Sequence, residues 1–119
     1  MFRFEKLDAW KEAIGLADEV YTVTKRFPND ERYGLTSQMR RAAVSVSSNV
    51  AEGSGRASDR DFAHFVQLAY GSLMELVSQT ETALRQSFLD KSTRDHLYQR
   101  SEKLARILSG LRASLLKEK

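Results

Sequence analysis

His64 and His96 are the only imidazoles in this 119-residue chain, and cysteine is absent. A nucleophilic triad needs Ser or Cys beside a histidine that a carboxylate orients, and neither histidine lies near a nucleophile-elbow pattern. A di-iron centre in a helical bundle takes Glu from two helices and Glu-x-x-His from the other two. The chain offers one Asp61-x-x-His64 and no Glu-x-x-His. His64 also falls off the apolar stripe of Phe62, Phe65 and Ala69, which directs it to solvent or a neighbour. No metal, cofactor or enzymatic activity is expected. Gly53-Ser54-Gly55-Arg56 ahead of a helix could cradle an anion, but it lacks both Walker spacing and a preceding strand. A helix C-cap and turn explains it better, with Arg56 and Arg60 left as residual phosphate contacts.

Charge offers a second kind of chemistry. The formal net charge is +3, distributed as −1 over residues 1–30, +2 over 31–60, −2 over 61–93 and +4 over 94–119. Arg94, Arg100, Lys103, Arg106, Arg112, Lys117 and Lys119 carry the C-terminal excess. Two readings stand. Cations are favoured near a helix C-terminus by its dipole and form an ordinary solvated face; alternatively they form a surface for a polyanion.

The elements that must position these groups are helical. Sustained period-two alternation is absent, so no sheet is expected. Helix one is predicted from about Ala9 to Arg26, capped by Asp8, with Trp10, Ala13, Ile14, Ala17, Val20 and Tyr21 inward. Pro28 stops it. Helix two is predicted from about Thr36 to Glu52, ending at Gly53-Ser54-Gly55 with a left-handed glycine cap. Helix three opens on Ser58-x-x-Asp61, reaches about Gln86, and buries Phe62, Phe65, Val66, Ala69, Leu73, Leu76, Thr80 and Leu84. Helix four opens on Ser92-x-x-Asp95 and repeats Leu97, Ser101, Leu104, Leu108, Leu111 and Leu115, the spacing of a left-handed bundle. Long helices joined by short turns predict an all-α, antiparallel, up-down-up-down four-helix bundle.

Residues 1–119 fit one such domain. Hydrophobic residues make up 41% and charged residues 29% of the chain, the composition of a soluble globular protein. No run approaches the roughly 18 apolar residues of a membrane span. The opening MFRFEKLDAWKEA lacks the apolar region of a secretory signal, and the absence of cysteine fits a reducing cytoplasm.

Helix two is unusual in its many Ala and Ser residues. Met39, Ala43, Val46 and Val50 form one apolar stripe, while Arg41, Ser45, Ser48, Glu52 and Arg56 repeat on the nearly opposite side. A helix with a core face and a face of small polar residues can pack against two neighbours, which suggests assembly. Asn49 is placed to satisfy backbone groups of the helix two to three connection. Glu52 and Glu75 look for partners among Arg40, Arg41 and Arg56, in the same chain or the next. Gly71-Ser72 sits mid-helix, where Gly costs about 1 kcal/mol relative to Ala and is best tolerated where another backbone comes close.

Phe27-Pro28, Glu31, Tyr33-Gly34-Leu35-Thr36, Gln38, Arg40-Arg41-Ala42-Ala43, Ser45, Asn49 and Ala51-Glu52-Gly53 together resemble the signature of a family of small bacterial four-helix bundle proteins. That family includes proteins encoded in intervening sequences of large-subunit ribosomal RNA genes. The match continues through Arg56, Phe62, Phe65, Ala69, Gly71-Ser72-Leu73 and Glu75, and more loosely from Phe4 to Leu7. It covers about residues 4 to 90, with the last helix similar by pattern alone. Ser47-Ser48 and Ser87-Phe88-Leu89 depart from it, the latter replacing a commoner Gly-Tyr pair.

The resemblance implies a cyclic homopentamer and a nucleic-acid-associated assembly or adaptor, with RNA first and DNA second among candidate partners. A related branch serves diversity-generating retroelements as an accessory protein that binds the reverse transcriptase. Arg40, Arg41, Arg100, Lys103 and Arg106 are then the candidate phosphate contacts. Arg41, Ser45, Asn49, Glu52, Arg56, Gly71, Ser72 and Glu75 are candidate assembly or structural polar residues. The alternative is a protein-interaction scaffold with no nucleic-acid partner, such as an accessory subunit of a larger complex.

Overall fold

Long amphipathic segments can bury their stripes only against one another, and the computed structural model, which describes residues 1–117, shows them doing so. The helices are α1 (Asp8–Thr24), α2 (Leu35–Ser54), α3 (Asp59–Arg85) and α4 (Lys91–Leu116), with 3-10 turns at Arg3–Lys6 and Asn29–Glu31. No strand occurs among the described residues. α2 packs on α1 and α3, and α4 packs on α3 and α1. Cross-helix partners run in opposite directions along the chain. Glu12 meets Lys103 while Glu19 meets His96, and Ser45 meets Ser72 while Gly53 abuts Phe62. These pairs make α1/α4 and α2/α3 antiparallel, and the bundle extends 50 × 22 × 21 Å.

The core runs along the bundle axis. Leu16 and Val20 of α1, Met39, Val46 and Val50 of α2, Phe62, Val66, Leu73 and Leu76 of α3, and Leu104 and Leu108 of α4 are almost wholly buried. The expected stripes of α2 and α4 hold, although Leu111 and Leu115 lie at the core's edge. In α3, Ala83 is buried where Leu84 was expected, and Phe65, expected inside, is half-buried.

Helix α1 differs most from expectation. Its buried row is Ala9, Ala13, Leu16, Ala17, Val20 and Thr24, while Ile14 and Tyr21 are exposed. The bundle here needs small residues against its neighbours, and that rotates the bulky pair outward. The cap also moves. The turn Arg3–Lys6 runs directly into α1, so Leu7 takes the cap position and Asp8 is the first helical residue, where its charge faces the positive end of the dipole.

The other helix ends show the same contest between local chemistry and packing. Ser58 caps α3 as expected, its hydroxyl accepting from the Asp61 amide at 3.1 Å. α4 is capped by Asp90, not Ser92: its carboxylate accepts from the Thr93 amide at 2.7 Å, and that bond holds its pKa below the ordinary aspartate value. α2 runs on through Gly53 to Ser54, and Gly55 ends it at φ −90° without a left-handed turn. Gly53 is needed for closeness. A Cβ there would lie 2.6 Å from Phe65 Cβ and 2.8 Å from Phe62 Cδ1. The left-handed residue is instead Ser87, at φ 62°. Its amide donates to Leu84 O and that of Phe88 to Ala83 O, both at 2.9 Å, closing α3 in a Schellman motif.

Candidate nucleic-acid interface

The start of α2 is built by the turn that precedes it. Gly34, at the N-cap position, has no side chain to satisfy the first amides. Glu31 does so from the 3-10 turn, its carboxylate accepting from the Leu35 amide at 3.0 Å. A Cβ on Gly34 would sit 2.9 Å from that Glu31 oxygen, so glycine leaves the carboxylate its path. This corner puts Arg32 and Tyr33 at the mouth of a groove between α1 and α2. The Arg32 guanidinium lies 5.5 Å from the Tyr33 ring centre, and Tyr33 is 88% exposed.

One turn into α2, Arg40 lies along α1. Its Nε donates to the hydroxyl of buried Thr24 at 2.9 Å, and its guanidinium sits 4.6 Å from the centre of the Tyr21 ring. Thr24 in turn donates to Val20 O at 2.7 Å. Arg41 follows on the exposed side. The groove, about 520 Å³, is lined by Arg32, Arg40 and Arg41 with Tyr21, Tyr33, Val44 and the hydroxyl residues Thr36, Ser37 and Ser45. It contains three guanidinium groups and no carboxylate.

The cations of α4 have different company. Arg100 is ion-paired with Glu19 and lies 3.6 Å from Glu12, while Lys103 meets Glu12 at 3.1 Å. His96 approaches Glu19 at 2.9 Å. Gly15 of α1 is the floor of this seam: a Cβ there would lie 2.6 Å from Arg100 Nη2. Hydrogen bonding from Lys103, with the charges of Lys103 and Arg100, holds Glu12 below the ordinary glutamate pKa against the opposing effect of burial. For Glu19 burial is the largest single influence and pushes upward. Hydrogen bonds from His96 and Arg100, with their charge, outweigh it and leave the pKa lowered. Arg94 is held by Glu81 at 3.0 Å and Asp95 at 2.9 Å. Among the described residues, Arg106 and Arg41 have no carboxylate within ion-pair distance. Lys119 lies outside the described residues.

The polar residues of the α2–α3 seam form a smaller network than expected. Ser45 Oγ is 2.8 Å from Ser72 Oγ, so the small polar face of α2 meets α3 of its own chain. Asn49 donates backward to Ser45 O at 2.9 Å and Ser45 Oγ at 3.1 Å; it does not reach the helix two to three connection. Glu52 pairs with Arg56 at 3.1 Å, and the Arg56 guanidinium sits 4.4 Å from the Phe65 ring centre. Glu75 accepts from Gln79 at 3.2 Å, and neither Arg40 nor Arg41 bonds Glu52 or Glu75. Ser48 is exposed. No backbone approaches Gly71 within the chain, since a Cβ there would meet nothing within 4 Å. No group of three or more His, Asp or Glu among the described residues is arranged to hold a metal ion. Nor is any described helix long and apolar enough to cross a membrane.

Sequence reasoning missed two parts of this arrangement. Tyr21 and Arg40 are far apart in sequence, and their stacking depends on the α1–α2 packing. Arg32-Tyr33 is an adjacent guanidinium and aromatic ring, a signal that the sequence carries and the expectations above left unused.

Fold and site together define a small four-helix bundle protein with one acid-free cationic groove. The chain belongs to the 23S rRNA-intervening sequence protein family, whose model matches residues 5–110. Its fold is similar to that of a protein of unknown function from the S23 ribosomal protein family of Bacteroides thetaiotaomicron, with a TM-score of 0.79 at 17% identity. That likeness covers 92% of this chain and 99% of the other, and at this identity it speaks for the fold alone. No curated protein matches the chain significantly.

Proposed function

We propose that this protein is a non-enzymatic, self-assembling bundle that associates with nucleic acid, RNA first, through the groove at the start of α2. The observation that carries this reading is the meeting of Arg32, Arg40 and Arg41 in one concavity without an acidic side chain. Guanidinium groups hold phosphate by charge and by paired N–H donors, and contacts of this kind position a backbone without reading sequence. Arg100 and Lys103 already neutralise Glu12 and Glu19, so they take a smaller share. Arg106 adds an outlying positive charge. The family's link to ribosomal RNA genes agrees with an RNA partner.

Assembly as a ring of about five chains is part of the same proposal, implied by the family resemblance. The outer face of α3 supports it. Leu68 and Met74 are 43% and 41% exposed on either side of Gly71, whose Cα faces open space. A mid-helix glycine costs about 1 kcal/mol relative to Ala, and close approach of another chain gives it a use.

Two measurements test the reading. Filter binding of a labelled RNA should show affinity falling steeply between about 50 and 200 mM salt as counterions return to the phosphates. Light scattering should give a single species near five chains, moving to a smaller one when Gly71 is replaced by Glu. Failure to bind any polynucleotide at low salt favours the scaffold alternative, and a monomer at micromolar concentration removes the ring.

A further inference from the structure

Two guanidinium–aromatic pairs line one groove, Arg32 with Tyr33 and Arg40 with Tyr21. A surface that held phosphate alone would have no use for the rings. Tyr21 is 40% exposed and serves the packing of Arg40 against α1, so part of its role is structural. Tyr33 is different. It belongs to no helix and is absent from the core, and its ring stays 88% exposed at the groove's mouth. An aromatic ring left in water beside a cation is a platform on which a base can stack, with the cation ready for the neighbouring phosphate.

We infer that the groove takes single-stranded nucleic acid in preference to duplex, with an unpaired base on Tyr33 and phosphates on Arg32 and Arg41. This rests on the phosphate-binding reading above and adds the class of strand. In a duplex the bases stack on each other and offer only their edges in the grooves, so Tyr33 would have nothing to cover. A single strand exposes the faces of its bases, and stacking on aromatic side chains is how single-strand binders add affinity to charge. The concavity, about 520 Å³, is bounded by α1, α2 and the turn before it. Thr36 and Ser37 add hydroxyls along its wall.

The experiment compares fluorescein-labelled oligonucleotides by anisotropy at one salt concentration: a single-stranded uridine or adenosine oligomer and an RNA duplex of equal phosphate number. The intact protein should bind the single strand more tightly. Tyr33→Ala should weaken single-strand binding on the order of tenfold and leave duplex binding unchanged, while Tyr33→Trp should restore it. Circular dichroism on each variant checks the fold, which an exposed turn residue should not disturb. Equal affinity for the two forms, or no response to Tyr33→Ala, overturns the inference and leaves the phosphate reading in place. Displacement of the single strand by polyglutamate of equal charge also overturns it, because charge alone would then suffice. Absence of binding to either form removes the underlying reading and the inference with it.

Discussion

Arg100 and Lys103 on α4 and Arg32, Arg40 and Arg41 around the start of α2 are the same chemistry in opposite surroundings. Across from α4 stand Glu12 and Glu19, which accept ion pairs from Arg100 and Lys103 and have lowered pKa values as a result. Around α2 there is no acid in the groove; Arg32 and Arg40 lie against tyrosine rings, and Arg40 also bonds a threonine hydroxyl. The α4 segment has the larger excess of positive charge along the chain. Folding reverses that order locally, because a cation that is already paired gains little from an incoming phosphate. On the reading proposed above, the cations that would count for binding are those the fold leaves without carboxylates.

If α4 serves the bundle first, its largest effects should be on stability. Leu104→Ala removes a fully buried side chain and should cost about 2–5 kcal/mol in denaturant melts. A loss below roughly 0.5 kcal/mol would contradict the burial of this helix.

The α1–α4 seam should come next, and it should respond to acid. Glu12 and Glu19 both have folded pKa values below the ordinary 4.5. Their contribution is therefore present above that value and lost as pH falls through the lowered folded values. Thermal midpoints should drop on acidification below about pH 4.5, and Arg100→Gln, which removes the cation shared by both carboxylates, should flatten that drop. An acid profile unchanged by Arg100→Gln would mean that Arg100 is not what lowers these groups.

The smallest effect separates stability from binding. Ser87 pays for its left-handed backbone at the end of α3, where glycine has no Cβ penalty. Ser87→Gly should raise stability by about 0.5–1 kcal/mol and leave RNA affinity as it was. A change in affinity would tie the far end of the bundle to the groove and blur the contrast between the two surfaces.

Much of the bundle was legible because α3 and α4 repeat large apolar residues at helical spacing, so Phe62 to Thr80 and Leu97 to Leu108 announce their buried sides. α1 was read only in part. Ala13, Ala17 and Val20 are buried as expected, but Ala9, Leu16 and Thr24 complete the row, and the bulky Ile14 and Tyr21 expected inside face solvent. Gly53 announced a boundary, but the local sequence does not contain the reason for it, which is the approach of Phe62 and Phe65 from the next helix. The departure at Ser87 was visible as a residue standing where glycine is common, and its φ of 62° supplies the physical reason for that preference.

The candidate site was half legible. Arg40 and Arg41 stood out as an adjacent pair, and they line the groove. Charge summed along a segment could not reveal that Glu12 and Glu19 face Arg100 and Lys103, because those partners come together only when the first and last helices pack. Arg32 was passed over for a similar reason. Its importance comes from the empty, acid-free space that α1 and α2 enclose beside it.

The most direct test of the account removes two positive charges from each surface in turn. Arg32→Gln with Arg41→Gln and Arg100→Gln with Lys103→Gln lower the net charge equally, so long-range attraction to RNA changes alike in both. At about 100 mM salt the groove pair should weaken RNA binding by roughly tenfold or more and reduce the salt slope by about two. The α4 pair, read on protein confirmed to be folded, should weaken it by less than about threefold. Equal losses, or a larger loss from the α4 pair, would contradict the claim that pairing with carboxylates decides which cations meet the nucleic acid.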